Sequence, residues 1–195
     1  ELVGVDPTGT KFIEYYPDTI KLIPDFFSFD TLQSRLGDKK AKVITSFAMF
    51  YDLEDPVAFA SDIEKTLDDD GVWVFEQSYL PSMIETNSFD TICHEHLEFY
   101  ALKQIMLIAR KAGLKVLDVE LNDINGGSFS ITAAKKDSNH AVNERVIASM
   151  LEKEVSMGLD GTEVFTSFFE RVETQKHKFI KFLKDAKEEG KKVYG

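Results

Sequence analysis

Val72-Trp73-Val74-Phe75-Glu76 follows the acidic turn Asp68-Asp69-Asp70-Gly71, and an apolar run that closes on a carboxylate is what a strand covered on both faces presents. Upstream, Lys42 to Phe47 is a second run rich in β-branched residues. Asp55-Pro56 then supplies a helix cap and a first-turn proline, with Val57, Phe59, Ile63 and Leu67 on one apolar face. Strand, helix, strand is the unit of a parallel sheet. Leu2 to Val5 reads as a further strand that ends at Asp6 before Pro7 and Gly9, and Ile23 to Phe29 as a short second strand containing Asp25.

Downstream, a helix from Leu102 to Ala112 stops at Gly113, a residue suited to a helix C-terminal cap. Leu114 to Val119 resumes a strand, Asn125-Gly126-Gly127 marks a tight turn, and Ser128 to Ala134 reads as an antiparallel edge strand. The fold expected is therefore α/β, a Rossmann-like sheet that is mostly parallel with a C-terminal antiparallel hairpin, followed by long helices. In such sheets the ligand lies beyond the carboxyl ends of the strands, here near Asp6, Phe47 and Glu76. Between Asn143 and Glu189 the texture turns to charged helices, in which Phe165, Val172, Phe179 and Ala186 recur every seven residues beside Phe168, Phe169, Phe182 and Leu183. One apolar face of this kind suits a core-facing helix, a linker or a homo-oligomer surface.

The composition narrows the partners. A net charge of -11 over 195 residues opposes nucleic acid and anionic membranes, and favours a small-molecule substrate. No apolar run approaches the ~20 residues of a membrane-spanning helix. The single Cys93 leaves no internal disulfide, which fits a reducing cytoplasm. The chain opens directly on an apolar run without Met and closes on Lys191-Lys192-Val193-Tyr194-Gly195, the start of a strand after a helix, so both ends read as cuts.

Cys93-His94-Glu95-His96 gathers two of the four His around a carboxylate. Imidazole titrates near neutrality and a neighbouring carboxylate raises its basicity, so the cluster suits proton abstraction. His94 and His96 with Cys93 also have the chemistry of metal ligands, but no further Cys or His cluster completes a site, and no metal is assigned. Asp6, closing a strand, suits either the vicinal hydroxyls of a ribose or a plain turn. Asn125-Gly126-Gly127-Ser128 suits a phosphate cradle or a hairpin turn.

Glu76-Gln77-Ser78-Tyr79, the run from Asn87 through Phe89-Asp90-Thr91-Ile92-Cys93-His94-Glu95-His96 to Tyr100, and Asn125-Gly126-Gly127-Ser128 together resemble the S-adenosylmethionine (SAM) dependent sugar C-methyltransferase family over nearly the whole chain. The resemblance implies three parts: a small zinc-binding N-terminal domain, a class I methyltransferase sheet, and a C-terminal domain that helps hold a nucleotide-linked sugar. This chain is similar to the middle part. Residues 1–138 are then the SAM-dependent methyltransferase domain without its first strand and glycine-rich turn, 139–190 a helical linker, and 191–195 the start of the C-terminal domain, with zinc implied only outside the chain.

The chemistry implied is base-assisted enolate formation on a nucleotide-linked keto-deoxysugar, followed by attack of the enolate carbon on the methyl group of SAM. By position His96 matches the base and Glu95 its partner, with His94 in the same cluster; Asp6 matches the ribose-binding acid, and Asp25, Phe26 and Phe27 the adenine-side segment, joined by Phe47 at its strand end. Tyr79, Asn125 and Ser128, inside the resembling motifs, are assigned to the substrate. Two positions depart from the family: Cys93 stands where its members carry Tyr, and Tyr51 or Asp52 falls about where they carry a catalytic His. A neutral thiol does not stabilise an enolate as a phenol does, so O-methylation of a nucleotide sugar or surface glycan is the alternative. An NAD(P)-dependent oxidoreductase on a similar sheet, and a non-catalytic assembly module built on the long helices, are the other readings.

Overall fold

The computed structural model describes residues 1–194. In chain order the elements are β1 (Leu2–Val5), β2 (Ile20–Ile23), α1 (Phe29–Leu36), β3 (Ala41–Phe47), α2 (Pro56–Thr66), β4 (Leu67–Ser78), α3 (Leu80–Thr86), α4 (Leu102–Lys111), β5 (Leu114–Asn122), β6 (Ser128–Lys135), α5 (Glu144–Ser156) and α6 (Glu163–Glu188). β1 and β2 form a parallel pair, and the remaining strands a mixed sheet in the order β3-β4-β6-β5. Within it β3 and β4 are parallel, whereas β6 runs antiparallel to both β4 and β5. The α/β fold with its closing hairpin is thus as expected. Among the described residues no backbone pairing joins β1 to β3.

The core grows from β4, where Trp73, Phe75 and Gln77 alternate onto one buried face that Tyr79, just past the strand, continues. Phe50 packs against Trp73 and Phe75 at centroid distances of 5.6 and 5.3 Å, and the indole N–H of Trp73 donates to Ser46 Oγ at 3.0 Å. α2 begins where Asp55 accepts from the N–H of Ala58 at 2.9 Å with Pro56 in the first turn, and it buries Ala60 and Ile63. α4 buries Leu102, Ile105 and Ala109, spaced three and four apart, and is followed by Gly113 at φ +77°.

Four expectations change. The second strand is Ile20–Ile23 and not Ile23 to Phe29, because Pro24 has no N–H to continue the ladder and Asp25 lies in the loop beyond it. Asp68–Gly71 is no separate turn: β4 advances five residues between its pairs with Ala41 and Val43 while β3 advances two, so the acidic run bulges inside the strand. β6 is interior and not an edge, since the chain folds back to slot it between β4 and β5, and Phe129, Ile131, Ala133 and Ala134 are completely buried there. The alanines keep it thin enough for that position. Lys191–Tyr194 form no strand, and Gly195 lies outside the described residues.

The C-terminal helices divide in character. Ile147 and Met150 of α5 join the main core. α6 anchors through Phe168, which packs with Met83 and Ile84 of α3, while Phe169, Phe179 and Phe182 stay exposed. Among the described residues no helix is long and apolar enough to cross a membrane.

Candidate active site at the carboxyl edge of the sheet

β3 and β4 run parallel, so their carboxyl ends lie side by side, joined by the N–H of Ala48 donating to the carbonyl of Glu76 at 2.9 Å. Just past β3 the backbone enters the left-handed region at Ala48 (φ +51°) and turns through a short 3-10 helix, Phe50–Asp52. A non-glycine residue held there carries strain, and such strain gathers at functional sites. After β4, the chain leaves the sheet from Leu80, runs through α3, and returns as an irregular segment to Ala101. Asn87, left-handed at φ +58°, ends α3 and starts the return.

This segment docks on the turn after β3. The N–H groups of Leu97 and Glu98 donate to the carbonyl of Tyr51 at 3.0 and 3.2 Å, and the His96 ring lies 4.3 Å from the Tyr51 ring. His96 is half-buried, with Phe99 edge-on at 6.3 Å, while Cys93, His94 and Glu95 are exposed. The group that assembles is therefore Tyr51, Asp52, Cys93, Glu95 and His96. Its electrostatics are coupled: burial pushes the Asp52 carboxyl up, His96 opposes that and Glu95 adds to it. Burial, then Asp52 and Cys93, push the Tyr51 phenol up. Glu95 and His96 thus lie close to Asp52, and Tyr51 and Asp52 are the residues at which the sequence departs from the resembling family's His. Tyr100, behind them, has a buried hydroxyl without a partner and a pKa pushed up to about 12 by burial. Gln77 on β4 likewise buries its amide with no hydrogen-bond partner. Sequence reasoning missed both; the one available signal was a Gln in register with Trp73 and Phe75 on the buried face of the strand.

The cofactor-side residues separate. Asp6 Oδ1 accepts from the N–H and hydroxyl of Thr8, each at 2.8 Å, and Oδ2 from the Tyr16 hydroxyl at 3.2 Å. The Thr8 N–H, then its hydroxyl, hold this carboxyl below its ordinary range. Asp6 therefore acts as a turn residue, with spare acceptor capacity mainly on Oδ2. Asp25 accepts from the N–H of Phe26 at 2.8 Å. Phe26 is 75% exposed, whereas Phe27 is half-buried and packs on Phe59 at 5.1 Å. Phe47 projects at the end of β3, 56% exposed.

The substrate-side residues are largely structural here. Tyr79 is fully buried and its hydroxyl donates to Glu154 at 2.8 Å, so it offers nothing to a substrate. Ser128 is buried with its hydroxyl on the carbonyl of Ile124 at 2.9 Å. Asn125 is exposed in the left-handed conformation. The Gly126-Gly127 turn presses on α3 and on the segment just after it: a Cβ at Gly127 would lie 2.4 Å from Ser82 Cβ, and one at Gly126 2.4 Å from Ser88 Oγ. The N–H of Gly127 is spent within the turn, on Ile124. This is the hairpin reading and not a phosphate cradle. Among the described residues no three His, Cys, Asp or Glu are grouped to hold a metal ion.

Two family models match the chain, one described as a methyltransferase domain over residues 2–119 and one as a C-methyltransferase C-terminal domain over residues 123–195. The C-methyltransferase NovU of Streptomyces niveus is 28% identical over all of this chain, which spans 46% of that protein, about half its length. Among solved structures, a LepI variant in complex with SAH and a substrate analogue aligns with a TM-score of 0.56 at 16% identity, over 70% of this chain and 36% of the other. A structure described as a pericyclic reaction enzyme aligns with the same TM-score, identity and coverage. At such identities the likeness shows the fold alone.

Proposed function

We propose, for a chain that belongs to the methyltransferase-domain family, that the whole protein transfers a methyl group from SAM to the carbon beside the keto group of a nucleotide-linked deoxysugar. The observation that carries the reading is the half-buried His96 held against Tyr51 at the carboxyl ends of β3 and β4, with Glu95 and Asp52 beside it. Similarity over the full chain to a protein named C-methyltransferase supports carbon as the acceptor. Family membership also sets the oxidoreductase alternative aside.

The residues at the carboxyl ends of β1, β2 and β3 fit the cofactor in part. Phe26 and Phe47 present exposed aromatic faces suited to an adenine ring, Asp25 adjoins Phe26, and Asp6 has room on Oδ2 for a ribose hydroxyl if Tyr16 swings away. When bound, SAM supplies an electrophilic methyl group. His96 takes the acidic α-proton of the keto sugar, and its new positive charge is balanced by Glu95 and Asp52. The α-carbon is left as the nucleophile of an enolate. Tyr51 fixes the plane of the imidazole while the two N–H bonds onto its carbonyl fix the backbone beneath. Cys93 is exposed beside this group, at the position where the resembling family carries a phenol.

Two proposals about assembly follow. The unpaired edges of β1 and β3 support insertion of a parallel strand from outside these residues, which would join the two sheets and complete the cofactor cleft. The isolated 195-residue piece should then bind SAM little or not at all. The exposed Phe169, Phe179 and Phe182 of α6 support pairing with a second copy, which sedimentation of the whole protein would test. The proposed activity itself is tested by calorimetric titration of SAM into the full-length protein; one saturable site per chain supports it, and a folded protein that binds none removes its basis.

A further inference from the structure

The excursion Leu80–Ala101, which carries Cys93 to His96, is closed at its base by the N–H of Leu80 donating to the carbonyl of Tyr100 at 2.9 Å and, beside that backbone bond, by a buried carboxylate from α5. Glu154 is only 4% exposed. Its Oε1 accepts from the Tyr79 hydroxyl at 2.8 Å and from the N–H of Leu102 at 2.7 Å, and its Oε2 accepts from the N–H of Lys103 at 3.1 Å. Tyr79 is the last residue before the excursion, and Leu102 and Lys103 are the first two of the helix after it. One side chain thus ties together the two ends of a segment 22 residues long.

The helix needs this partner. Ala101 is the N-cap of α4, and a methyl group cannot accept from the free N–H groups of the first turn. Gln104 serves only the N–H of Ala101, at 3.2 Å, so a carboxylate from another helix does what a local Ser or Asp ordinarily does, with the helix dipole in its favour. Other links run from the C-terminal helices to the same excursion. Lys153 meets Glu85 at 2.8 Å, Asn87 Nδ2 donates to Gln175 at 2.9 Å, and Arg171 Nη2 donates to the carbonyl of Ile84 at 2.7 Å. The first two are exposed, where such contacts contribute little. Removing the buried Glu154 carboxylate would leave three donors without their acceptor, the Tyr79 hydroxyl and the Leu102 N–H among them buried.

We propose that Glu154 is a positioning residue: it sets the base of the Leu80–Ala101 excursion and thereby the placement of His96 against Tyr51, so that the C-terminal helices hold the site in register. It touches neither acceptor nor cofactor and acts through Tyr79 and the start of α4. The inference rests on the proposed role of His96, and its test has one arm that does not.

The full-length protein is compared with its Glu154→Ala, Glu154→Gln and Tyr79→Phe variants by amide hydrogen exchange and by methyl-transfer kinetics. In Glu154→Ala, exchange across residues 87–100 is expected to speed about tenfold or more while β4 and β6 amides stay protected. The kcat is expected to fall about ten- to a hundredfold with KM changed less than about threefold, as misplacement of a catalytic group does. Glu154→Gln keeps an acceptor oxygen for Tyr79 and Leu102 and should recover most of both losses, with Tyr79→Phe intermediate. Exchange that quickens equally in the segment and in β4 and β6, or not at all, overturns the inference. If Glu154→Ala does not fold, the same comparison of segment against core in Glu154→Gln and Tyr79→Phe decides it. Should the wild-type protein transfer no methyl group, the proposed function fails, and the exchange arm still judges the clamp.

Discussion

Replacing Gly127 by Ala should be among the most damaging single-methyl changes available to this chain. Gly127 has φ +119° and ψ +110°, a region that L side chains rarely enter, and holding a residue there costs about 1–3 kcal/mol. The added Cβ would also sit 2.4 Å from Ser82 Cβ and 2.9 Å from its Oγ, both in α3. Relieving a contact about an ångström too short typically costs another 1–3 kcal/mol. The turn cannot easily retreat, since the carbonyl of Gly127 accepts from the N–H of Tyr79 at 3.0 Å. The sum is about 2–6 kcal/mol, against total stabilities of order 5–15 kcal/mol for domains of ordinary size. Urea unfolding followed by far-UV circular dichroism reads the loss as a lower midpoint at unchanged slope. Ser82→Gly removes the steric component but not the dihedral one, at a helix cost of about 1 kcal/mol. The double variant should therefore be more stable than the two single losses sum to, by about 1–3 kcal/mol. A Gly127→Ala protein within about 1 kcal/mol of wild type, or a cycle with no coupling, would refute the close packing of this turn on α3.

Two further outcomes are expected. Ala48→Gly removes the left-handed strain at φ +51° beside the site; it should raise stability by up to about 1 kcal/mol in thermal unfolding, net of the entropy glycine brings, and a clear loss would show that Ala48 is unstrained. Asp52→Asn should stabilise the protein slightly at neutral pH, because partial desolvation pushes this carboxyl up while its exposure to solvent keeps the gain small. The sign follows from the raised value: stability tied to Asp52 is fully present below the unfolded carboxylate pKa of ~3.9 and is lost as pH rises through the folded one. The advantage of the Asn variant should thus shrink on acidification, and an advantage that grows instead contradicts the placement of Asp52.

What was legible from the residues was local. Asp55-Pro56 announced a helix start and Gly113 a helix end, because caps act within one turn. The apolar run Val72 to Phe75 announced a strand, although its neighbours on either side could not be known from it. Strand order depends on which distant edges meet, so nothing in Ser128–Lys135 distinguishes an edge strand from the interior one it proves to be, except that Ala133 and Ala134 suit a crowded position. The His96 cluster was legible as a density of titratable groups. Its docking on Tyr51 was not, because those hydrogen bonds run through backbone atoms. Tyr79 misled for a related reason: a tyrosine in a functional motif looks the same whether its hydroxyl faces a substrate or Glu154. Glu154 itself lies among Glu152 and Lys153 in an ordinary charged helix, and only its spacing of seven from Ile147 and four from Met150 places it on the buried stripe. A carboxylate on an apolar stripe is the signal that was there to be read.

The most direct test of the account is transfer of a labelled methyl group from SAM to a nucleotide-linked keto-deoxysugar by the full-length protein and its His96→Ala variant. The account predicts turnover by wild type, product labelled on carbon, and a loss of at least about a hundredfold in the variant with SAM binding unchanged. A His96→Ala protein that turns over at the wild-type rate would contradict it.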